Sequence, residues 1–217
     1  MSAAAKAGFS RKPYVGSCHC GTIKYIAYIT LPASPDEVST TEFYEESGVR
    51  LYKCNCNTCQ KMGIFHLRLK SPGDDFVLLS PLDPHADDSG MTKYMTPAKR
   101  SSWWFCKTCG VRCFTIRGPT EQAEVEVPAK SLEALGIKAA DVRSDSTVKV
   151  KAWKPKDEFV EKAGGGDYLS INAVTLNPQQ EGLDLALFHE KQWVAYVDSL
   201  NRKAESRFGK PHPGGIY

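Results

Sequence analysis

Lys53-Cys54-Asn55-Cys56-Asn57-Thr58-Cys59 is the stretch on which the reading of this chain turns. Three thiols fall within six residues, and two further pairs, Cys18-His19-Cys20 and Cys106-Lys107-Thr108-Cys109, flank them at long range. The opening residues, Met1-Ser2-Ala3-Ala4-Ala5-Lys6, lack the apolar core of a secretory signal, so a reduced, cytoplasmic protein is expected. In that setting clustered thiols read as metal ligands rather than disulfide partners, with zinc the favoured ion.

Ligand counting divides the thiols into two sites. A structural zinc takes four ligands, and a tight turn can aim two of them at one point. Cys18/Cys20 and Cys106/Cys109 together make four, so they are assigned to a structural zinc that clips distant parts of the chain together. Cys54, Cys56 and Cys59 supply three ligands, the number found in catalytic sites that keep one position open. Three thiolates on a divalent ion leave the site anionic and weaken its power to acidify water. The site is better suited to holding an incoming thiol as thiolate. Closure by Cys113 or His66 is the alternative, although Cys113 also reads as a small core residue of a strand.

Composition sets the outer limits. Of the 217 residues 41% are hydrophobic, enough for a sizeable core, and a single domain over 14–217 behind a flexible lead-in at 1–13 is expected. Mean hydropathy is -0.36 and no apolar run reaches the length of a membrane span. Net charge is only +3, from 28 basic and 25 acidic side chains scattered along the chain, so no nucleic-acid partner is indicated. The basic tail residues Arg202, Lys203, Arg207 and Lys210 read as a solvated face.

Short alternating runs rich in β-branched and aromatic residues, spaced by Gly and Pro, predict a mainly β protein. Strands are expected over 14–30, interrupted by a tight turn at 18–21, and at 50–53, 65–70, 76–80, 111–117, 148–153 and 168–176. A long loop with one helical turn is expected at 32–48, helical turns at 58–63 and 131–135, and a strand or short helix around Trp193. His66, Arg68 and Lys70 read as the solvated cationic edge of a half-buried strand, while His19 and His85 fall in an exposed turn and a loop. Gly164-Gly165-Gly166 reads as a hinge and not as a phosphate loop. Tyr94, Trp103 and Trp104 are either core or the wall of an apolar pocket.

Gly16-Ser17-Cys18-His19-Cys20-Gly21, Cys54-Asn55-Cys56-Asn57-Thr58-Cys59-Gln60-Lys61 and Phe105-Cys106-Lys107-Thr108-Cys109-Gly110 resemble, in order, the three cysteine motifs of the glutathione-dependent formaldehyde-activating enzyme and centromere-protein-V family. The stretches 169–176, 189–194 and 211–215 look like the closing segments of its fungal-type members. The resemblance implies a zinc-bearing β-tent of small packed antiparallel sheets with short helices. It also implies a structural zinc on Cys18, Cys20, Cys106 and Cys109, and a second zinc on Cys54, Cys56 and Cys59 where glutathione reacts. Insertions near 31–49 and 119–167, together with Cys113, depart from the small bacterial pattern.

The function that follows as an expectation is a zinc-dependent carbon–sulfur lyase or synthase, with two zinc ions per chain. It would join or cleave glutathione and an aldehyde or another small electrophile. Lys61, His66 and Arg68 are the candidate contacts to glutathione. A non-catalytic zinc scaffold for protein or chromatin, and a glutathione carrier, are the competing readings.

Overall fold

A computed structural model describes residues 8–138, 146–158, 166–201 and 205–215. Arg202, Lys203, Gly164 and Gly165, singled out above, lie outside them. In chain order the elements begin β1 (Phe9–Ser17), β2 (Lys24–Pro32), α1 (Thr40–Ser47), β3 (Arg50–Cys54), α2 (Asn57–Met62) and β4 (His66–Arg68). There follow α3 (Pro72–Asp75), β5 (Phe76–Ser80), β6 (Met91–Met95), β7 (Ser102–Cys106), β8 (Arg112–Arg117) and β9 (Thr120–Pro128). The rest are α4 (Ala129–Ala134), β10 (Thr147–Pro155), β11 (Tyr168–Asn172), α5 (Leu185–Glu190), β12 (Val194–Asp198) and β13 (Glu205–Phe208).

The strands form two sheets, as the mainly β expectation requires. One runs β1-β2-β5-β10-β9; the other runs β13-β12-β3-β4-β11-β8-β7-β6. The second sheet is mixed, because β12 lies parallel to β3 while its other pairings are antiparallel. The principal core lies between the sheets. Tyr25, Ile29, Leu78 and Trp153 from the first meet Leu51, Leu67, Phe114, Leu169 and Ile171 from the second. The outer face of the first sheet is covered too, by Leu132 and Leu135 of α4 and its exit packing on Val15, Ile26, Val77 and Val127. Burying each such side chain is worth about 1.5–3 kcal/mol.

Three sequence expectations need correction. Residues 9–13, placed in a flexible lead-in, are paired with residues 28–32 as the start of β1. The stretch 32–48 holds more than one helical turn: α1 is eight residues long, with Ser39 Oγ accepting from Glu42 N at its start and Gly48 at φ 64° closing it. Its inward ring, Phe43, stacks on Trp193 at 4.2 Å between centroids. Finally, the segment around Trp193 contains both of the alternatives, a helix (α5) and then a strand (β12).

The two faces of the second sheet differ in kind, and this difference creates the site. Leu51, Leu67, Leu169, Ile171, Phe114 and Ile116 face the core. Their alternating neighbours Arg50, Tyr52, His66, Arg68, Ser170, Thr115 and Trp103 face the other way, because side chains alternate along a strand. Register places Arg50 opposite Arg68, Ser170 opposite Thr115, and Thr115 opposite Trp103.

Candidate metal centres and cavity

The first thiol group sits where the two sheets meet. Cys18 and Cys20 lie in the β1–β2 turn, Cys106 and Cys109 in the β7–β8 turn. The backbone closes each turn in the same way: Cys18 N donates to Ile23 O, and Cys106 N donates to Val111 O. Gly21 at φ 77° and Gly110 at φ 72° supply the left-handed residue each turn needs. The four sulfurs all lie within 4.8 Å of one another, with Cys20 Sγ 3.4 Å from Cys106 Sγ across 86 residues of chain. Burial pushes the Cys18 thiol up to about 12, whereas hydrogen bonding from Thr22 draws Cys20 down to about 6. Four soft sulfur donors converging on one point fit a tetrahedral ion such as zinc.

Cys113 does not close the other site. It is fully buried on β8, and the charges that face it are those of Cys18, Cys109 and Cys106, so it belongs beside the first group. The strand period alone would set Cys113 on the same face as Thr115. A register shift between Trp104↔Phe114 and Phe105↔Arg112 breaks the period there, and Cys113 joins the core cluster with Met91 and Phe114.

The triplet is built by the end of β3 and the start of α2. Cys56 caps α2, its sulfur accepting from Cys59 N at 3.4 Å, while Cys56 N donates to Cys54 Sγ at 3.4 Å. Gly63 at φ 62° ends the helix and returns its N–H to Cys59 O and Gln60 O. Cys54, Cys56 and Cys59 offer three sulfurs within 4.8 Å of one another. Hydrogen bonds from Cys54 and Cys59 hold the Cys56 thiol well below its ordinary range, and the hydrogen bonds of Cys59 with Cys54 and Cys56, with its burial, drive the Cys59 thiol upward.

Asn55, which sequence reasoning passed over, locks this turn in place. It is 2% exposed, and every polar atom of its side chain is used. Oδ1 accepts from Ser199 N at 2.8 Å and Leu200 N at 2.9 Å; Nδ2 donates to Asp198 Oδ1 at 2.8 Å and to Pro213 O at 3.1 Å. Asn201 and Asn55 in turn hold the Asp198 carboxyl down at about 2. His212, in the tail that carries Pro213, bonds Tyr196 O through Nε2 at 3.1 Å.

His66 is not a solvated edge. It is 1% exposed, with Nε2 3.2 Å from Cys59 Sγ and Nδ1 2.9 Å from Ser170 Oγ. The Tyr168 hydroxyl reaches the same Nδ1 at 3.2 Å and meets the Tyr52 hydroxyl at 2.5 Å. Tyr52 also stacks on the imidazole at 4.4 Å. Burial lowers the imidazole to about 3, so it is neutral at physiological pH. A hydroxyl that donates to Nδ1 would leave Nε2–H to donate to the Cys59 sulfur. The ring nitrogen stands outside the set of ligand atoms that are mutually within 4.8 Å.

Cys54, Cys59, His66 and Arg68 line an open cavity of about 1090 Å³ on this face of the sheet. Arg50, Arg100, Arg117, Tyr52, Tyr168, Trp103 and Glu45 also contribute to its wall. Lys61, named with His66 and Arg68 as a substrate contact, is exposed on α2 and is not among the lining residues. Of the three aromatics that were candidates for a pocket wall, Trp103 lines it, Trp104 is 3% exposed in the core and Tyr94 is exposed on β6. His19 is exposed, as expected. His85 lies in a loop but sets its ring edge to face against Trp104 at 5.1 Å.

No family model matches the chain, and no curated protein matches it. Among solved structures, the crystal structure of a Rhodobacter sphaeroides protein is similar over 77% of this chain and 91% of that one, at 14% identity and a TM-score of 0.36. A likeness at that level carries neither fold nor function. Among the described residues no helix is long and apolar enough to cross a membrane.

Proposed function

We propose that the chain is a zinc-dependent carbon–sulfur lyase or synthase that joins glutathione to, or releases it from, an aldehyde or another small electrophile. The observation that carries this reading is that two of the three triplet thiols, Cys54 and Cys59, open into a large cavity lined by four arginines and one glutamate. The order of the three cysteine motifs, which resembles that of the glutathione-dependent formaldehyde-activating family, supports the same reading.

The donor chemistry fits the metal: Cys18, Cys20, Cys106 and Cys109 would hold a structural zinc, and Cys54, Cys56 and Cys59 a second. A zinc ion held by the triplet would supply Lewis acidity that favours the thiolate form of an incoming thiol. The surrounding side chains bind and orient. Arg50 and Arg68 stand opposite each other on β3 and β4, beside the triplet, and suit the two carboxylates of glutathione. Glu45 suits its ammonium group. Neutral His66, steadied by Ser170, Tyr168 and Tyr52, would donate to Cys59 and fix how that sulfur is presented. Positioning of the two reactants supplies most of the rate.

The test joins three measurements on one preparation: zinc per chain, displacement of the cobalt-substituted spectrum by glutathione, and formation of S-hydroxymethylglutathione. Two zincs, a glutathione-dependent spectral change and accelerated product formation are expected, with Cys56→Ser abolishing the last two. Turnover that survives Cys56→Ser together with the second metal would refute the reading.

A further inference from the structure

The arginines in the cavity fall into two sets. Arg50 and Arg68 sit on β3 and β4 at the triplet, and Glu45 of α1 lines the same cavity. Arg117 sits at the end of β8, with Arg100 just ahead of β7, towards the opposite edge of the sheet. Two strand spacings separate β4 from β8, about 10 Å. Glutathione, with two carboxylates and one ammonium, is matched by the first set and leaves the second unused.

Among the described residues this second end presents guanidinium and hydroxyl groups and no carboxylate. Thr115, 2% exposed, lines the cavity there and its hydroxyl has no hydrogen-bond partner among the described residues. The buried Arg117 Nε likewise has none, and no described carboxylate pairs with Arg100 or Arg117. Both arginines also line an adjoining pocket of about 220 Å³ with Ser102 and Trp104, and no acidic residue among the described ones lines it. A buried donor without an acceptor is destabilising, and a bound oxyanion would satisfy it.

We propose that Arg100 and Arg117, with Thr115, form an oxyanion subsite, and that the electrophile carries a carboxylate or phosphate seated there. The assignment to the electrophile rests on the function proposed above. An anionic aldehyde such as glyoxylate meets the requirement. The glutathione sulfur pair adds to the aldehyde carbon, the carbonyl π pair moves to oxygen, and the proton lost by the thiol ends on that oxygen. Nothing is oxidised or reduced.

The test titrates the zinc-loaded full chain, following tryptophan fluorescence, with glyoxylate, with neutral glycolaldehyde and with inorganic phosphate. Glyoxylate should bind saturably and compete with phosphate, while glycolaldehyde should bind at least tenfold more weakly. Arg117→Leu and the surface change Arg100→Gln should each weaken glyoxylate tenfold or more with both metals retained. Equal binding of glycolaldehyde, wild-type affinity in both variants, or phosphate binding that glyoxylate does not displace would overturn the proposal. Glyoxylate binding without accelerated carbon–sulfur bond formation would keep the subsite and remove the lyase reading. Accelerated reaction with formaldehyde but no glyoxylate binding would do the reverse.

Discussion

His66 Nε2 lies 3.2 Å from Cys59 Sγ while Nδ1 of the same ring lies 2.9 Å from Ser170 Oγ, so one neutral imidazole couples a triplet thiol to the middle of the second sheet. If it acts as a donor to sulfur and not as a ligand, His66→Ala will leave two metals per chain and lower turnover tenfold or more. Metal analysis of the purified variant beside a rate measurement checks this. A fall to one metal would make His66 the fourth ligand and close the site.

The two thiol groups should respond differently to removal of one sulfur. Cys106→Ser breaks a clip spanning 86 residues between the sheets, and the loop entropy released amounts to about 4–5 kcal/mol on a cross-link model. Cys56→Ser loosens a turn already held by Asn55, so its stability cost should be much smaller although it also loses one metal. Thermal unfolding of both variants, each with its zinc content, separates the cases; equal losses of Tm would contradict the division of roles.

Asn55→Ala strands the Ser199 and Leu200 N–H groups and takes a donor from Asp198. At about 1–3 kcal/mol for a buried group left unsatisfied, the variant should lose about 2–4 kcal/mol, and its triplet metal should pass to a chelator before the first-site metal does. Asn55→Asp should be worse, because it sets a second carboxylate against the ionised Asp198. Denaturant titration and chelator competition read both effects.

Gly16 lies directly opposite Tyr25, and a Cβ there would fall 2.2 Å from Tyr25 Cζ. The ring cannot retreat: it is fully buried and its hydroxyl is 2.7 Å from Thr175 Oγ1. Gly16→Ala should therefore cost about 1–3 kcal/mol or more, seen as a lowered Tm. The double change Gly16→Ala with Tyr25→Phe should not rescue it, because the clash is with the ring.

How far the sequence could be read depended on whether the signal was local. The thiols were legible because metal-ligand spacing within a turn is set by a few residues. Cys18/Cys20 and Cys106/Cys109 were matched by counting, and the geometry brings them together. His66 was misjudged because alternation tells which residues share a face and is silent about what covers it. Arg68 and Lys70, its polar companions, suggested solvent, whereas Tyr52, Tyr168 and Trp103 from three other strands enclose the ring. Asn55 carried a clue, a carboxamide held between two ligands. Its partners at 198–200 and 213 are more than a hundred residues away, beyond any local pattern. Arg50, Arg100 and Arg117 were invisible for the same reason.

The parallel pairing of β12 with β3, which sets Val197 beside Cys54 and gives Asn55 N its acceptor, has a consequence for biosynthesis. Once residue 109 has left the ribosome, every sulfur of the clip between the sheets exists and that ion can be captured early. The triplet is translated sooner than that clip is complete, yet its anchoring strand and the carbonyl of Pro213 emerge a hundred and more residues later. A nascent chain thus carries three tethered but unbraced thiols through most of its synthesis, and metal capture at the clip is expected to precede capture at the triplet although Cys59 is translated before Cys109.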